Sequence, residues 1–409
     1  MSEFPRKGNG SGGMLAAFRI RSFRFQWPAD LLTSWAFEME MLIIGWYVLV
    51  ITDSAFLLSA ITALQFGGTL LAPMFGVFAD RVNRRTMLIA LRASYAVLAG
   101  IVMTLGLFGE VTPWELFTIA AIGGLIRPSD LVVRNTLIAD TVPAHQLRNA
   151  MGLSRTTMDS ARIFGALLGA GLLSTLGIGV AYGGVVAFYV GSILLALGIV
   201  ARHATPPAKQ PWTELKLGFA YMRDNRVIVG IMSLAFLVNF TAFPLSHGLL
   251  PVVAKDVYHV DENGLAQLLA SYAVGALLGS IITAVALRTP RPGRTVALNI
   301  LIWYGLLIVL GFTTSWWAGA VVLILVGAAQ SFGMITMSVL LLTTTQPEYR
   351  GRVQGVRMLA VYGLPIGLLI GGALIEWVGI SFTFTLYGIV GIVATVGILI
   401  KWPQLLTGR

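Results

Sequence analysis

Apolar runs of about 20 to 28 residues, cut by glycine, proline and charge, recur along the whole chain. They fall near 27–51, 55–79, 87–109, 114–139, 149–176 and 179–201, then near 226–250, 264–287, 295–313, 317–342, 353–377 and 380–402. Each run, coiled as a helix, is long enough to cross a hydrocarbon layer about 30 Å thick. The pattern predicts an all-α membrane protein with about twelve transmembrane helices. A polar stretch in the middle divides them into two sets of six.

The expected organisation is a cytoplasmic tail over 1–26, a six-helix half over 27–201, a connection over 202–225, a second six-helix half over 226–402 and a short tail over 403–409. The opening MSEFPRKGNGSGG lacks the apolar core and cleavage site of a secretory signal. In the connection, Leu215, Phe219 and Met222 recur at helical spacing with Lys216 and Arg223 opposite, which predicts a short amphipathic helix along the membrane surface. A shift of 202 positions lays Arg148 on Arg350, Arg155 on Arg357, Gly165 on Gly367, Gly169 on Gly371 and Gly177 on Gly379. The two halves therefore read as pseudo-symmetric copies of one helix arrangement. Gly165 and Gly169, like Gly367 and Gly371, are spaced by four, which lets neighbouring helices approach closely.

Composition agrees with the pattern. Hydrophobic residues make up 56% of the 409 and charged residues 11%, a balance no soluble domain of this size sustains. The net charge of +10 would fit a nucleic-acid binder if it were clustered on one face. Instead the cations flank the membrane. Arg81, Arg84, Arg85, Arg202, Lys216, Arg223, Arg288, Arg291, Arg294, Arg350 and Arg352 fall in alternate connections, while the opposite ones carry Asp53, Glu110, Glu115, Asp256, Asp261 and Glu262 against Lys255. This asymmetry predicts both termini in the cytoplasm and excludes nucleic acid as a partner. With no cysteine, the chain has no disulfide, thiolate metal site or thiol nucleophile. No Ser/His/acid set, metal-ligand pattern or phosphate-binding glycine loop is present, so neither an enzyme nor a resident cofactor or metal is expected.

Between the second and third runs stands GVFADRVNRRTM, with Gly76, Asp80, Arg81, Arg84 and Arg85. Flanking charge for topology accounts for the arginines but not for Asp80. The stretch resembles the signature loop of the major facilitator superfamily, with Asn83 where a glycine is usual. That resemblance implies a latch between the two halves, in which an acid near the membrane surface holds basic partners in one state and releases them in another. The equivalent loop of the second half, LRTPRPGRT, keeps the arginines but has no acid. The run from Arg134 through IAD, VP, RNAMGL and ARIFGALLGAG is similar to the branch of that superfamily containing the enterobactin exporter and drug-efflux proteins. The Gly-Pro-x-x-Gly-Gly pattern common among its antiporters is here Gly165-Ala-Leu-Leu-Gly169-Ala, without the proline.

Charge inside the runs is the candidate chemistry. Arg127, Asp130 and Arg134 share one face of the fourth run, and Arg155, Asp159 and Arg162 one face of the fifth. The two stripes either interleave as a salt-bridge lattice or line one aqueous cavity. Three or four arginines against two acids leave a positive surplus suited to an anionic or carboxylate-bearing ligand, bound through Arg127, Arg134 and Arg162. Asp30, Glu38 and Glu40 lie on a broad face of the first run. An acid in low dielectric can load and release protons, so these three, with Asp130 and Asp159, are the proton-coupling candidates. Asn239, His247 and Gln330 add uncharged polar contacts from the second half, His247 also reading as an interface residue near the end of its run.

The function these features imply is secondary active transport by alternating access: proton-coupled export of an amphipathic small molecule, siderophore-, metabolite- or drug-like, across a bacterial inner membrane. The alternatives are an importer of a small organic solute, a lipid or lysolipid translocator, and a non-transport membrane sensor. Expected partners are the small-molecule substrate, protons and membrane lipids, with the protein a monomer.

Overall fold

The computed structural model describes residues 16–68, 83–200, 211–285 and 291–407, and the regular structure among them is helical throughout. Among the described residues ten helices are long and apolar enough to cross a membrane. In the first half of the chain α1 spans Arg21–Thr52, α2 Ala55–Phe66, α3 Arg84–Phe108, α4 Pro113–Thr141, α5 Ala144–Ser160 and α6 Ala166–Ala196. A short helix α7, Pro211–Asp224, leads into α8, Arg226–Thr241. The rest follows as α9 Glu262–Val285, α10 Pro292–Phe312, α11 Trp316–Thr344, α12 Arg350–Leu359, α13 Gly363–Val378 and α14 Ile380–Lys401.

Local chemistry sets several ends. Asn83 accepts hydrogen bonds from Arg85 N and Thr86 N at 3.0 and 3.5 Å and so caps α3, while Glu115 reaches back to Thr112 N at 2.8 Å at the start of α4. Asn83 has φ −59° and ψ 118°, so it works as an N-cap and does not replace a left-handed glycine. α1 begins at Arg21, ahead of the apolar run, because Ser22 and Gln26 have partners in the bundle: Ser22 Oγ donates to Val200 O at 3.0 Å, and Gln26 Nε2 to Arg134 O at 2.9 Å.

Two glycines redirect the chain. The helical stretch 149–196 has 48 residues, about 72 Å if straight and more than two bilayer cores long. It turns at Gly177, where φ is 76° and ψ 175°. A Cβ placed on Gly184 would stand 2.9 Å from Leu172 Cδ1, so the chain doubles back. Gly379 joins α13 to α14 with φ 85° and ψ 169°. Both lie in a backbone region essentially reserved for glycine. The repeat offset of 202 residues thus relates two turns of the same geometry.

Glycine also sets the close packing. A Cβ on Gly165 would lie 2.9 Å from Trp35 O, one on Gly169 3.0 Å from Met39 Cα, one on Gly371 2.9 Å from Leu249 Cδ1, and one on Gly367 would overlap the Phe240 carbonyl. The helices these residues join have no larger side chain between them. The halves of the chain meet where α2 packs on α13 and where α6 packs on α9. At the first junction a Cβ on Gly372 would stand 2.7 Å from Ala55 O. α7 is docked on the second half: the Tyr221 ring stacks on Tyr349 at 4.2 Å, and its hydroxyl accepts from Gln346 N at 3.1 Å.

Candidate functional site

Among the described residues the most buried charge is Arg92, which average hydropathy hides inside an apolar run. It stands eight residues into α3, about 12 Å along the helix, and is completely shielded from solvent. Its Nη2 donates to Asp30, its Nη1 to Ser192 Oγ at 2.8 Å, and its Nε lies 3.5 Å from Asp130 Oδ1. Arg134 closes the other side of Asp30, with Nε 3.0 Å from Oδ2, Nη1 donating to Ser34 Oγ at 3.1 Å and Nη2 donating to the Thr157 hydroxyl. Two arginines and two aspartates from α1, α3 and α4 thus neutralise one another, since a buried charge persists only when paired.

A second cluster sits farther along α1. Arg127 Nη2 is 3.1 Å from Glu40 Oε2, and that oxygen also accepts from the Tyr189 hydroxyl at 2.6 Å. The Arg127 guanidinium lies over the Phe37 ring, 3.3 Å from its centroid. Beside it is a cavity of about 20 Å³ lined by Glu40, Gln65, Tyr95 and Arg127, where Gln65 Oε1 and the Tyr95 hydroxyl have no protein partner. The volume and polarity suit one water molecule.

These pairings correct two expectations. The stripe on α4 closes against α1 and α3 and does not interleave with the stripe on α5. Arg155 and Asp159 pair with each other at 3.3 Å, with side chains 59% and 42% exposed. A π-turn over Ala161–Gly165 adds a residue between them and α6 and shifts the register of Arg162. The positive surplus also disappears: Asp30, Glu38, Glu40 and Asp130 match Arg92, Arg127, Arg134 and Arg162 in number.

Glu38 and Arg162 are the exceptions to pairing. Both are half-buried, and neither makes a hydrogen bond or ion pair among the described residues. Glu38 lies midway along α1, where its Cβ is 3.0 Å from the place a Cβ on Gly165 would take. Each lies within the electrostatic reach of the other. The π-turn that carries Arg162 packs on α9 from the second half, whose Tyr272 faces His247 edge-on at 4.7 Å between ring centroids. Both rings lie within the field of Arg162, and His247 Nδ1 and the Tyr272 hydroxyl are buried without a partner.

His247 sits inside the bundle in this way because Pro244 opens a π-turn over Pro244–Gly248 that turns it toward α9. Phe243 and Trp303, 5.1 Å apart, back it. Asn239 donates to Ala235 O of its own helix at 2.8 Å, and Gln330 is half-buried on α11.

At the end of the bundle reached at Thr52, two side chains of the second half grip the turn between α1 and α2. Lys255 pairs with Asp53, and Glu376 Oε1 accepts from Ser54 Oγ at 2.5 Å and from Phe56 N at 3.0 Å. Glu376 thereby caps the amino end of α2. At the opposite end Arg84 pairs with Asp140 and Arg85 donates to Leu197 O, tying the start of α3 to α4 and α6. Gly76, Asp80 and Arg81 of the signature loop lie outside the described residues. Among the described residues no group of three or more His, Asp or Glu is placed to hold a metal ion.

Macrolide efflux protein A of Streptococcus pyogenes is 21% identical over 381 residues, covering 88% of this chain and 93% of its own. The enterobactin exporter EntS of Citrobacter koseri is 23% identical over 286 residues, 69% of this chain and 67% of its own. The structure of a D-xylose–proton symporter superposes with a TM-score of 0.72 at 14% identity, over 96% of this chain and 99% of that one. The family profile of the Major Facilitator Superfamily matches residues 27–365, so the chain belongs to that superfamily and is a membrane transport protein, not an enzyme.

Proposed function

We propose that the chain exports an amphipathic small molecule by alternating access, in exchange for protons carried by Glu38. The observation behind this reading is the unpaired state of Glu38. Asp30, Asp130 and Glu40 are each held by an arginine, whereas Glu38, beside the π-turn at Gly165, has only the more distant charges of Arg162 and Arg127 nearby among the described residues. A carboxylate without a fixed partner can take either a proton or a ligand's positive group, and that exclusion couples the two fluxes. Asp30, Glu40 and Asp130 serve as fixed structural charge, and Asp159 is occupied by Arg155.

The arrangement proposed is twelve crossings in two sets of six. The stretch 149–196 counts as two because it turns at Gly177, and the shorter apolar helix α2 counts as one more. Both chain ends lie in the cytoplasm of a bacterial cell, on the side of the arginine-rich connections. The efflux and exporter names of the sequence relatives support the outward direction and the drug-efflux or enterobactin-exporter-like branch. Uptake is the second reading, favoured by the fold shared with a D-xylose–proton symporter.

Metabolite profiles of paired strains, with the native chain or with Glu38→Gln, separate the directions. Export predicts a compound depleted from the medium and enriched in the cells of the variant strain. The reverse distribution supports uptake, and identical profiles across growth conditions would remove the transport role assigned to Glu38.

The contacts of Lys255 and Glu376 act, in this reading, as the external seal of an inward-facing state. The absence of cysteine permits a single reporter at Thr62, which faces Gly248 across the junction. Replacing Glu376 with glutamine and Lys255 with methionine is expected to raise the labelling rate of that reporter by an impermeant maleimide about tenfold, equivalent to ~1.4 kcal/mol of lost closure. An unchanged rate would show that the seal does not depend on these contacts.

A further inference from the structure

We infer that the junction where α1, the π-turn at Arg162 and α9 meet is a subsite for a zwitterionic amphiphile, with the ligand's ammonium group on Glu38 and its acidic group on Arg162, Tyr272 and His247. The inference rests on the transport reading only in taking this junction as the place where cargo binds. Its physical basis is the bonding left unmade there.

Glu38 and Arg162 carry opposite charges midway through the bundle, yet they do not form an ion pair with each other or with any described residue. On the membrane-insertion scale an ionisable side chain at mid-depth costs about 2.5–3.5 kcal/mol, so two left unmatched need compensation from outside the protein. Asp30, Glu40, Arg92, Arg127, Asp130 and Arg134 are already matched, which leaves this pair as the place where a ligand's charge is recognised.

The donors are distributed unevenly. Tyr272 is 2% exposed, and among the described residues its hydroxyl has no acceptor; His247 Nδ1 is also buried without a partner; the two rings stand 4.7 Å apart, and the helix that carries Tyr272 packs on the π-turn that carries Arg162. A hydroxyl, an imidazole and a guanidinium brought together at one helix junction form an acceptor-binding set. On the Glu38 side the neighbouring groups are Gly165 and the aromatic pair Trp35 and Phe164, whose centroids are 5.7 Å apart. An aromatic pair carried by the same two stretches of chain as Glu38 and Arg162, together with the carboxylate, suits a cation with an apolar body. A purely anionic ligand would satisfy Arg162 and be repelled by Glu38, and a purely cationic ligand would do the converse. A molecule with both charges satisfies both ends.

Four compounds with one body test this: phenylalanyl-phenylalanine, its N-acetyl derivative, its methyl ester and the doubly blocked form. Binding to the purified full chain in detergent is followed by tryptophan fluorescence. The free dipeptide is expected to bind about tenfold or more tightly than either singly charged compound, as expected for one added charge-assisted hydrogen bond. Glu38→Gln should erase its advantage over the N-acetyl form alone, and Arg162→Gln its advantage over the methyl ester alone. Tyr272→Phe should weaken the free and N-acetyl forms together and leave the methyl ester unchanged. Equal binding by a singly charged or uncharged form, binding by none of the four, or a preference indifferent to both charge variants overturns the subsite. Proton-driven flux retained by the native chain alongside any of those results would leave the transport reading standing, so the two fail separately.

Discussion

Arg92→Ala is expected to destabilise the protein by about 3–5 kcal/mol, the cost of removing one partner from a buried ion pair. Thermal unfolding in detergent, followed by tryptophan fluorescence, should show this as a markedly lower Tm. Arg92 serves Asp30, Asp130 and Ser192 at once from a fully buried position. Without it the two acids fare differently: Asp30 keeps Arg134 at 3.0 Å, while Asp130 loses its only ion-pair partner among the described residues. Adding Asp130→Asn to Arg92→Ala should therefore restore more stability than adding Asp30→Asn. Lysine is a poor substitute, since a single ammonium cannot reproduce the fork that reaches three groups. A native Tm in Arg92→Ala, or equal rescue by both asparagines, would contradict the pairing described here.

Much of the bundle was legible because lipid imposes a long apolar run on each crossing helix, and such runs survive averaging. The turns at Gly177 and Gly379 were foreshadowed by their common offset in the repeat. The charge pairing was less legible. Residue spacing placed Arg127, Asp130 and Arg134 on one face of α4, but it carried no information on which helices that face would meet.

Arg92 is hard to read from the sequence for the complementary reason: one arginine barely changes the mean hydropathy of a long span. A signal was present nonetheless, since Asp30 and Asp130 each required a cation. The register of Arg162 depended on a π-turn that no spacing rule anticipates. Tyr272 and Glu376 gave no sign of their roles, because one is an ordinary aromatic in an apolar helix and the other an ordinary acid at a helix end.

Glu38→Gln is expected to abolish proton-driven accumulation of substrate while retaining substrate–substrate exchange at saturating substrate, with the affinity lowered by loss of the contact to the ligand's positive group. Glutamine keeps the shape and hydrogen-bonding capacity of the side chain but holds no exchangeable charge. The bundle loses no ion pair by the change, since Glu38 makes none among the described residues, so Tm should stay within about 0.5 kcal/mol equivalent of the native protein. Asp30→Asn behaves differently on both counts: it removes the acid shared by Arg92 and Arg134 and lowers stability before any effect on coupling can be read. Stability loss and coupling loss should thus separate between two acids on the same helix.

The most direct measurement uses proteoliposomes enclosing a pH-sensitive dye, to which the compound named by the metabolite profiles is added with no imposed gradient. Native protein should move protons against the substrate and shift the internal pH; Glu38→Gln, at saturating substrate, should still exchange labelled for unlabelled substrate but with no pH change. A substrate-driven pH shift of native size in Glu38→Gln would contradict the account and return proton coupling to one of the paired acids.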